Sequence, residues 1–168
     1  MPKGLKQTSS LIVISAGVTE TAADTFTQDR IDLQLNPLDN EVFVVQAVNL
    51  NPSPPDNQLG LNSFVTCSMS TNSRAVVGTL ADTGVLATSS RDIRNDGTTA
   101  VSFEQTSMET PPAALEYIGI IATNDFFLQV QGGNNLQAKD LRCKVYGYRA
   151  SADSSTYAAL VQSSVLSE

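Results

Sequence analysis

Histidine and tryptophan are absent from the 168 residues, and cysteine occurs only twice. Without histidine there is no Ser-His-Asp or Cys-His nucleophile system and no histidine-bearing zinc or haem site. Without tryptophan a carbohydrate-stacking platform is weakened. Charge is scarce as well: 16% of residues are Asp, Glu, Lys or Arg, against about 25% in an ordinary soluble domain. Ten Lys and Arg face seventeen Asp and Glu, for a net charge of -7. That balance argues against a coat whose basic surface neutralises nucleic-acid phosphates. Long apolar runs are missing too. The first, residues 11–14, falls short of the roughly 7–15 apolar residues of a secretory leader and the ~20 of a membrane span. No membrane span is expected, and the chain is expected to stay soluble without crossing a secretory membrane.

What remains is 41% hydrophobic residues set among Ser, Thr, Asn and Gln, a composition suited to strands and turns rather than surface helices. The length fits about one domain, which needs neither metal nor disulfide to fold. Residues 1–9 read as an N-terminal arm and residues 11–14 as a short strand buried on both faces. Ile31, Leu33 and Leu35 alternate with Asp32 and Gln34 at the end of residues 26–35, and residues 41–50 (EVFVVQAVNL) give the strongest strand signal of the first half. Pro52, Pro54 and Pro55 lack backbone donors, so an exposed loop is expected at residues 51–57.

Residues 63–70 place Val65, Cys67 and Met69 on one side, and shorter strands are expected at 74–80 and 85–88. Asn95, Asp96 and Gly97 signal a tight primed hairpin turn leading into residues 98–105. A break at residues 110–112 precedes strands at 115–123 and 126–131, and Gly132 to Asn135 turn the chain into a last long strand at about 136–150. After that the period changes. Ser154 reads as the N-cap of a short helix carrying Tyr157, Leu160, Val161 and Val165 at spacings of three and four. Eight to ten short strands with Gly, Pro, Asn and Asp between them predict an all-β antiparallel sandwich, most simply a single jelly roll. The layout is an arm at 1–9, the sandwich at 10–150 and a C-terminal tail or short helix at 151–168.

Several patterns resemble chemistry without completing it. Residues 92–97 start like a calcium loop, but Arg94 stands where an oxygen ligand belongs and Phe103 where the closing Glu belongs. Asp29 and Asp32 would point to opposite faces of a strand. Glu104, Glu109 and Glu116 could pair as glycosidase carboxylates only if folding brought two of them face to face. Serine and threonine have no base, and the nucleophile-elbow motif is missing. No enzyme activity, cofactor or metal is expected. Cys67 and Cys143 each alternate with apolar neighbours and read as buried free thiols, with a disulfide as the alternative.

The one local charge feature lies near the end. Lys139, Arg142, Lys144 and Arg149 against Asp140 give +3, which leaves -10 on the rest of a chain whose total is -7. In a strand, Arg142, Lys144, Tyr146 and Tyr148 share a face. Such a face suits the acidic surface of a neighbouring copy, a solvated edge or, less readily, nucleic acid. Lys139, Arg142, Lys144, Tyr146, Tyr148 and Arg149 are therefore the candidate inter-subunit contacts.

Residues 126–135 (FFLQVQGGNN) and 143–150 (CKVYGYRA) resemble the closing hairpin of single jelly-roll bacteriophage capsid or capsid-decoration proteins. The resemblance covers about the last quarter of the chain and is one of general character. It implies a structural virion protein that self-associates to build or decorate an icosahedral shell, assembled in the host cytoplasm. Its partners would be copies of itself and other capsid proteins, with weak or no nucleic-acid contact. The alternative is a non-catalytic glycan-binding sandwich, such as a viral adhesin or tail-tip module, with a pocket lined by Tyr117, Tyr146 or Tyr148.

Overall fold

A computed structural model describes residues 3–107 and 115–166. The strands are β1 (Leu5–Gln7), β2 (Ile12–Thr19), β3 (Thr27–Asp32), β4 (Glu41–Pro52), β5 (Ser63–Ser70), β6 (Val85–Asn95), β7 (Ala100–Ser107), β8 (Gly119–Ile121), β9 (Asp125–Gly133) and β10 (Asp140–Ala152). One α-helix, α1 (Ser154–Leu166), follows them. All pairings are antiparallel, in two sheets. In the first, β10 is central, with β4 and then β8 on one side and β1 and β2 end to end on the other. The second runs β3-β9-β5-β6-β7. The expected all-β antiparallel sandwich, with a short C-terminal helix, is what the chain forms.

The core lies between the sheets, where Val65, Cys67 and Met69 meet Phe43, Val45, Leu141, Cys143 and Val145, with Phe126, Leu128 and Val130 beside them. Strand β4 reaches this core only by changing phase. Phe43 and Val45 point inward before a bulge, and Val48 and Leu50 do so after it. The register steps from Ala47 opposite Tyr146 to Val45 opposite Gly147, leaving Gln46 as the extra residue. One inserted residue reverses the parity of a strand, so both halves of EVFVVQAVNL stay buried.

A second apolar cluster covers half of the first sheet's outer face. Leu5, Val42, Val44, Tyr148, Ala150 and Ala152 lie there against Tyr157, Leu160 and Val161 of α1. The helix cap is Asp153 rather than Ser154. Its carboxylate accepts hydrogen bonds from the Thr156 backbone N–H at 2.7 Å and the Ser155 hydroxyl at 2.9 Å, satisfying donors that the first turn cannot. Those bonds, led by Thr156, hold the Asp153 carboxyl below its ordinary range.

Several expectations change. Within the expected arm, Leu5–Gln7 pairs with the end of β10 and Leu5 is buried. Residues 11–14 are not buried on both faces: Leu11 is 58% and Val13 48% exposed, while Ile12 and Ile14 pack on the core. The cause is position, because β2 is an edge strand whose outer face no described element covers. Residues 74–80 form a loop rather than a strand. Side chains of the second sheet anchor it, through Gly78 N–H to Ser68 Oγ at 2.9 Å and Arg74 N–H to Gln28 Oε1 at 2.8 Å. The 115–123 strand shrinks to Gly119–Ile121, and β4 continues through Pro52, where β8 no longer flanks it. The β6–β7 connection is a four-residue loop, 96–99, rather than a two-residue primed turn. Asp96 holds it by accepting from the N–H groups of Thr98 and Thr99 at 2.8 and 2.7 Å. Glu109 and the expected break at 110–112 lie outside the described residues.

Candidate functional site

The six candidate contact residues separate into two groups. Lys139, Tyr148 and Arg149 serve the fold. The Lys139 ammonium donates to Asp56 Oδ1 at 2.7 Å, and its backbone N–H donates to the buried Glu20 carboxylate at 2.8 Å. Glu20 also accepts from the Gly132 N–H at 2.6 Å, so one carboxylate ties the β9–β10 connection to the end of β2. Tyr148 is buried beneath α1, and its hydroxyl pKa is raised, first by burial and then by Glu116. The Arg149 guanidinium donates to Glu41 Oε2 at 3.1 Å and to the carbonyls of Leu33 and Gln34 at 2.9 and 3.2 Å. It clamps the end of β3 to β4.

Asp56 gives this framework a pH dependence. The hydrogen bond from Lys139 leads the effects that hold its carboxyl below the ordinary aspartate range. A carboxyl with a lowered folded-state pKa contributes stability that is present above its unfolded pKa, about 3.9, and is lost as pH falls through the folded value. Wild type is therefore expected to melt above Asp56→Asn at pH 7, with the gap closing below about pH 4. A gap that stays constant down to pH 2 in calorimetry contradicts this.

Arg142, Lys144 and Tyr146 form the second group, on the half of the first sheet's outer face that α1 leaves open. Register sets them in three rows: Val13–Tyr146–Ala47, Ser15–Lys144–Asn49 and Gly17–Arg142–Asn51. The Arg142 side chain is 80% exposed and pairs with its neighbour Asp140 at 3.1 Å. A shallow depression of about 300 Å³ lies between Ser15, Asn49, Asn51, Arg142 and Lys144. The exposed Leu11 and Val13 extend the surface along β2. It is a flat patch, apolar at one end and cationic at the other. Sequence reading found the cations but not Leu11 and Val13, whose apolar run reads as core when the edge position of β2 is not known.

The tyrosines named as alternative linings of a glycan pocket lie in two places. Tyr117 and Tyr148 belong to the cluster beneath α1, and Tyr146 to the open half of the sheet. Glu104 pairs with Arg91 at 3.1 Å, and Asp32 accepts from the Gln34 N–H at 2.8 Å. Among the described residues no group of three or more Cys, Asp or Glu is placed to hold a metal ion, and no helix is long and apolar enough to cross a membrane.

Cys67 and Cys143 are free and buried, on the facing inner surfaces of the two sheets. Burial pushes both thiols up to about 12, so neither forms the reactive thiolate near neutral pH. A chromogenic disulfide reagent at pH 8 is expected to titrate both thiols in urea and neither in the native protein. Native labelling within minutes contradicts this placement.

A different surface had no counterpart in the sequence reading. On the outer face of the second sheet, Thr66, Ser90 and Gln105 lie side by side across β5, β6 and β7, and Phe64, Asp92 and Phe103 form the next row. The signal was present in the outward half of each strand's alternation. Which strands are neighbours is not readable from a single chain.

No family model matches the chain. No curated protein matches it either. Among solved structures it is similar to a tailspike protein of the Acinetobacter baumannii bacteriophage Fri1, described as a capsular polysaccharide depolymerase, at 11% identity and a TM-score of 0.16. The alignment covers 72% of this chain and 20% of that one, so the chain spans about a fifth of the tailspike. A score this low carries no inference about fold or function.

Proposed function

We propose that this protein is a non-catalytic structural subunit that self-associates to build or decorate a virion shell. The observation that carries the reading is the open half of the first sheet, where Leu11, Val13 and Tyr146 lie beside Arg142 and Lys144. Such a patch suits a partner surface that is acidic with apolar contacts. A second copy fits that charge balance, because the chain's acidic residues exceed its basic ones by seven. Contact between unlike surfaces of identical subunits generates rings and shells when the rotation closes.

The strand order supports the same reading. We read the order β2-β10-β4-β8 against β3-β9-β5-β6 as support for a jelly roll, with β7 added at one edge and β1 continuing the line of β2. That architecture serves capsid and lectin domains alike, so the patch rather than the fold selects between them.

Light scattering across concentration, with electron microscopy of each sample, tests the proposal. Closed particles or regular rings are expected as concentration rises. A monomer at every concentration and salt condition overturns it.

A further inference from the structure

The second sheet carries a surface of different chemistry, facing away from the first. Loop 71–84 covers one end of its outer face, over Ser68, Ser70 and Gln129, and its Val77, Thr79 and Leu80 make a wall. Beside that wall the sheet is open, with a floor of Thr66, Thr88, Ser90 and Gln105 around a depression of about 720 Å³. A second depression of about 400 Å³, at Asp92, Arg94 and Phe103, shares Gln105 with the first. A third of about 400 Å³ shares Arg94 and Phe103 with the second and reaches Asn62 and Val101. The three form one track along the β6–β7 ribbon. From Thr88 to Arg94 it is about 20 Å long, at ~3.3 Å per residue.

The chemistry of the track alternates. Hydroxyls and a carboxamide occupy one stretch, and Phe103 stands beside Asp92 in the next. Phe64, on the other side of Asp92, packs against Gly133 of β9 instead, where a Cβ would overlap its ring carbons. Phe103 is 50% exposed, a large apolar area for a side chain with no role in the core. Hydroxyl and carboxamide groups both donate and accept, so they suit ligands that do the same. Asp92 and Arg94 add an acceptor and a forked donor able to grip adjacent hydroxyls. Aromatic rings suit a ligand with an apolar C–H face.

We propose that this track binds an extended neutral oligosaccharide, several sugar rings lying along β6 and β7. A peptide suits it less well. Bound as an added strand it would pair with β7 at the edge of the sheet rather than lie across it, and the depressions are shallow, with no deep apolar socket for anchoring side chains. The inference is independent of the assembly proposal, which concerns the outer face of the other sheet.

A printed array of neutral and acidic oligosaccharides, followed by calorimetry with the neutral oligosaccharide that binds best, tests it on the full chain. Neutral oligosaccharides of three or more units are expected to bind, with affinity at least tenfold lower in Phe103→Ala and in Gln105→Ala. Phe103→Tyr is expected to retain binding, as is Arg142→Glu combined with Lys144→Glu. Both Phe103 and Gln105 are exposed, so the alanine variants should keep the wild-type circular dichroism melt. The proposal is overturned if no neutral oligosaccharide binds, or if binding survives both alanine substitutions. It is also overturned if Phe103→Ala changes only the oligomeric state, which would assign the track to a second copy of the chain.

Discussion

Arg142→Glu combined with Lys144→Glu is expected to leave a folded monomer that no longer assembles. Both side chains are exposed on the open half of the first sheet. Arg142 pairs with Asp140 at 3.1 Å, in an ion pair whose Arg142 side chain is 80% exposed. Pairs this open contribute little to stability, so the thermal melt should stay within about 2 °C of wild type. The effect on association is of another order. At the proposed interface, attraction to an acidic partner becomes repulsion, and like charges set against each other in an interface cost several kcal/mol. A loss of about 3 kcal/mol corresponds to roughly a hundredfold weaker contact. Repeated around a closed shell, that loss should abolish particles in electron micrographs. Val13→Asp provides an independent check at the apolar end of the patch. Normal particle yield from both variants would remove this face from the interface, whatever the protein's wider role.

The second large effect is on stability. Gly147→Ala is expected to cost about 3 kcal/mol, the upper part of the range for overpacking. Gly147 sits where the bulge in β4 brings two strands together off register. A Cβ there would overlap the Val44 carbonyl oxygen and the ring of Phe43, a residue 1% exposed. A flexible side-chain end could move aside, but a ladder carbonyl and a fully buried ring cannot do so without disturbing the core. At ~2–4 °C per kcal/mol for a chain of this size, the melting point should fall by about 6–12 °C. A loss below about 1 kcal/mol in urea unfolding would mean that the bulge relaxes, and that Phe43 does not hold the parity switch in place.

Much of the fold is legible from period and composition. The alternation of Val65, Cys67 and Met69 predicts their inward face, and the structure places all three in the core. Leu33 and Leu35 also enter the core and Ile31 packs on it, although β3 ends at Asp32, short of the expected strand to Leu35. The change of period after residue 150 marks the helix. Two kinds of element escaped. In β4 the hydrophobic alternation holds only through a change of parity, and a bulge is visible only against the partner strand. The loop at 74–80 has a β-like composition, but its backbone donors are taken by Ser68 and Gln28 from other strands. Both depend on partners far away in the chain.

The candidate contacts divide for the same reason. That Arg142, Lys144, Tyr146 and Tyr148 share one face follows from the two-residue period of a strand, and the sequence alone determined it. That α1 covers Tyr148 and leaves the other three open was decided by where the helix docks. Lys139 and Arg149 look like free cations in a list of charges. Asp56 and Glu41, 83 and 108 positions away, turn them inward. Local spacing sets which way a side chain points relative to its own strand, because that is a property of the backbone pleat. What meets it there is set by chain topology, through pairings whose partners no local pattern encodes.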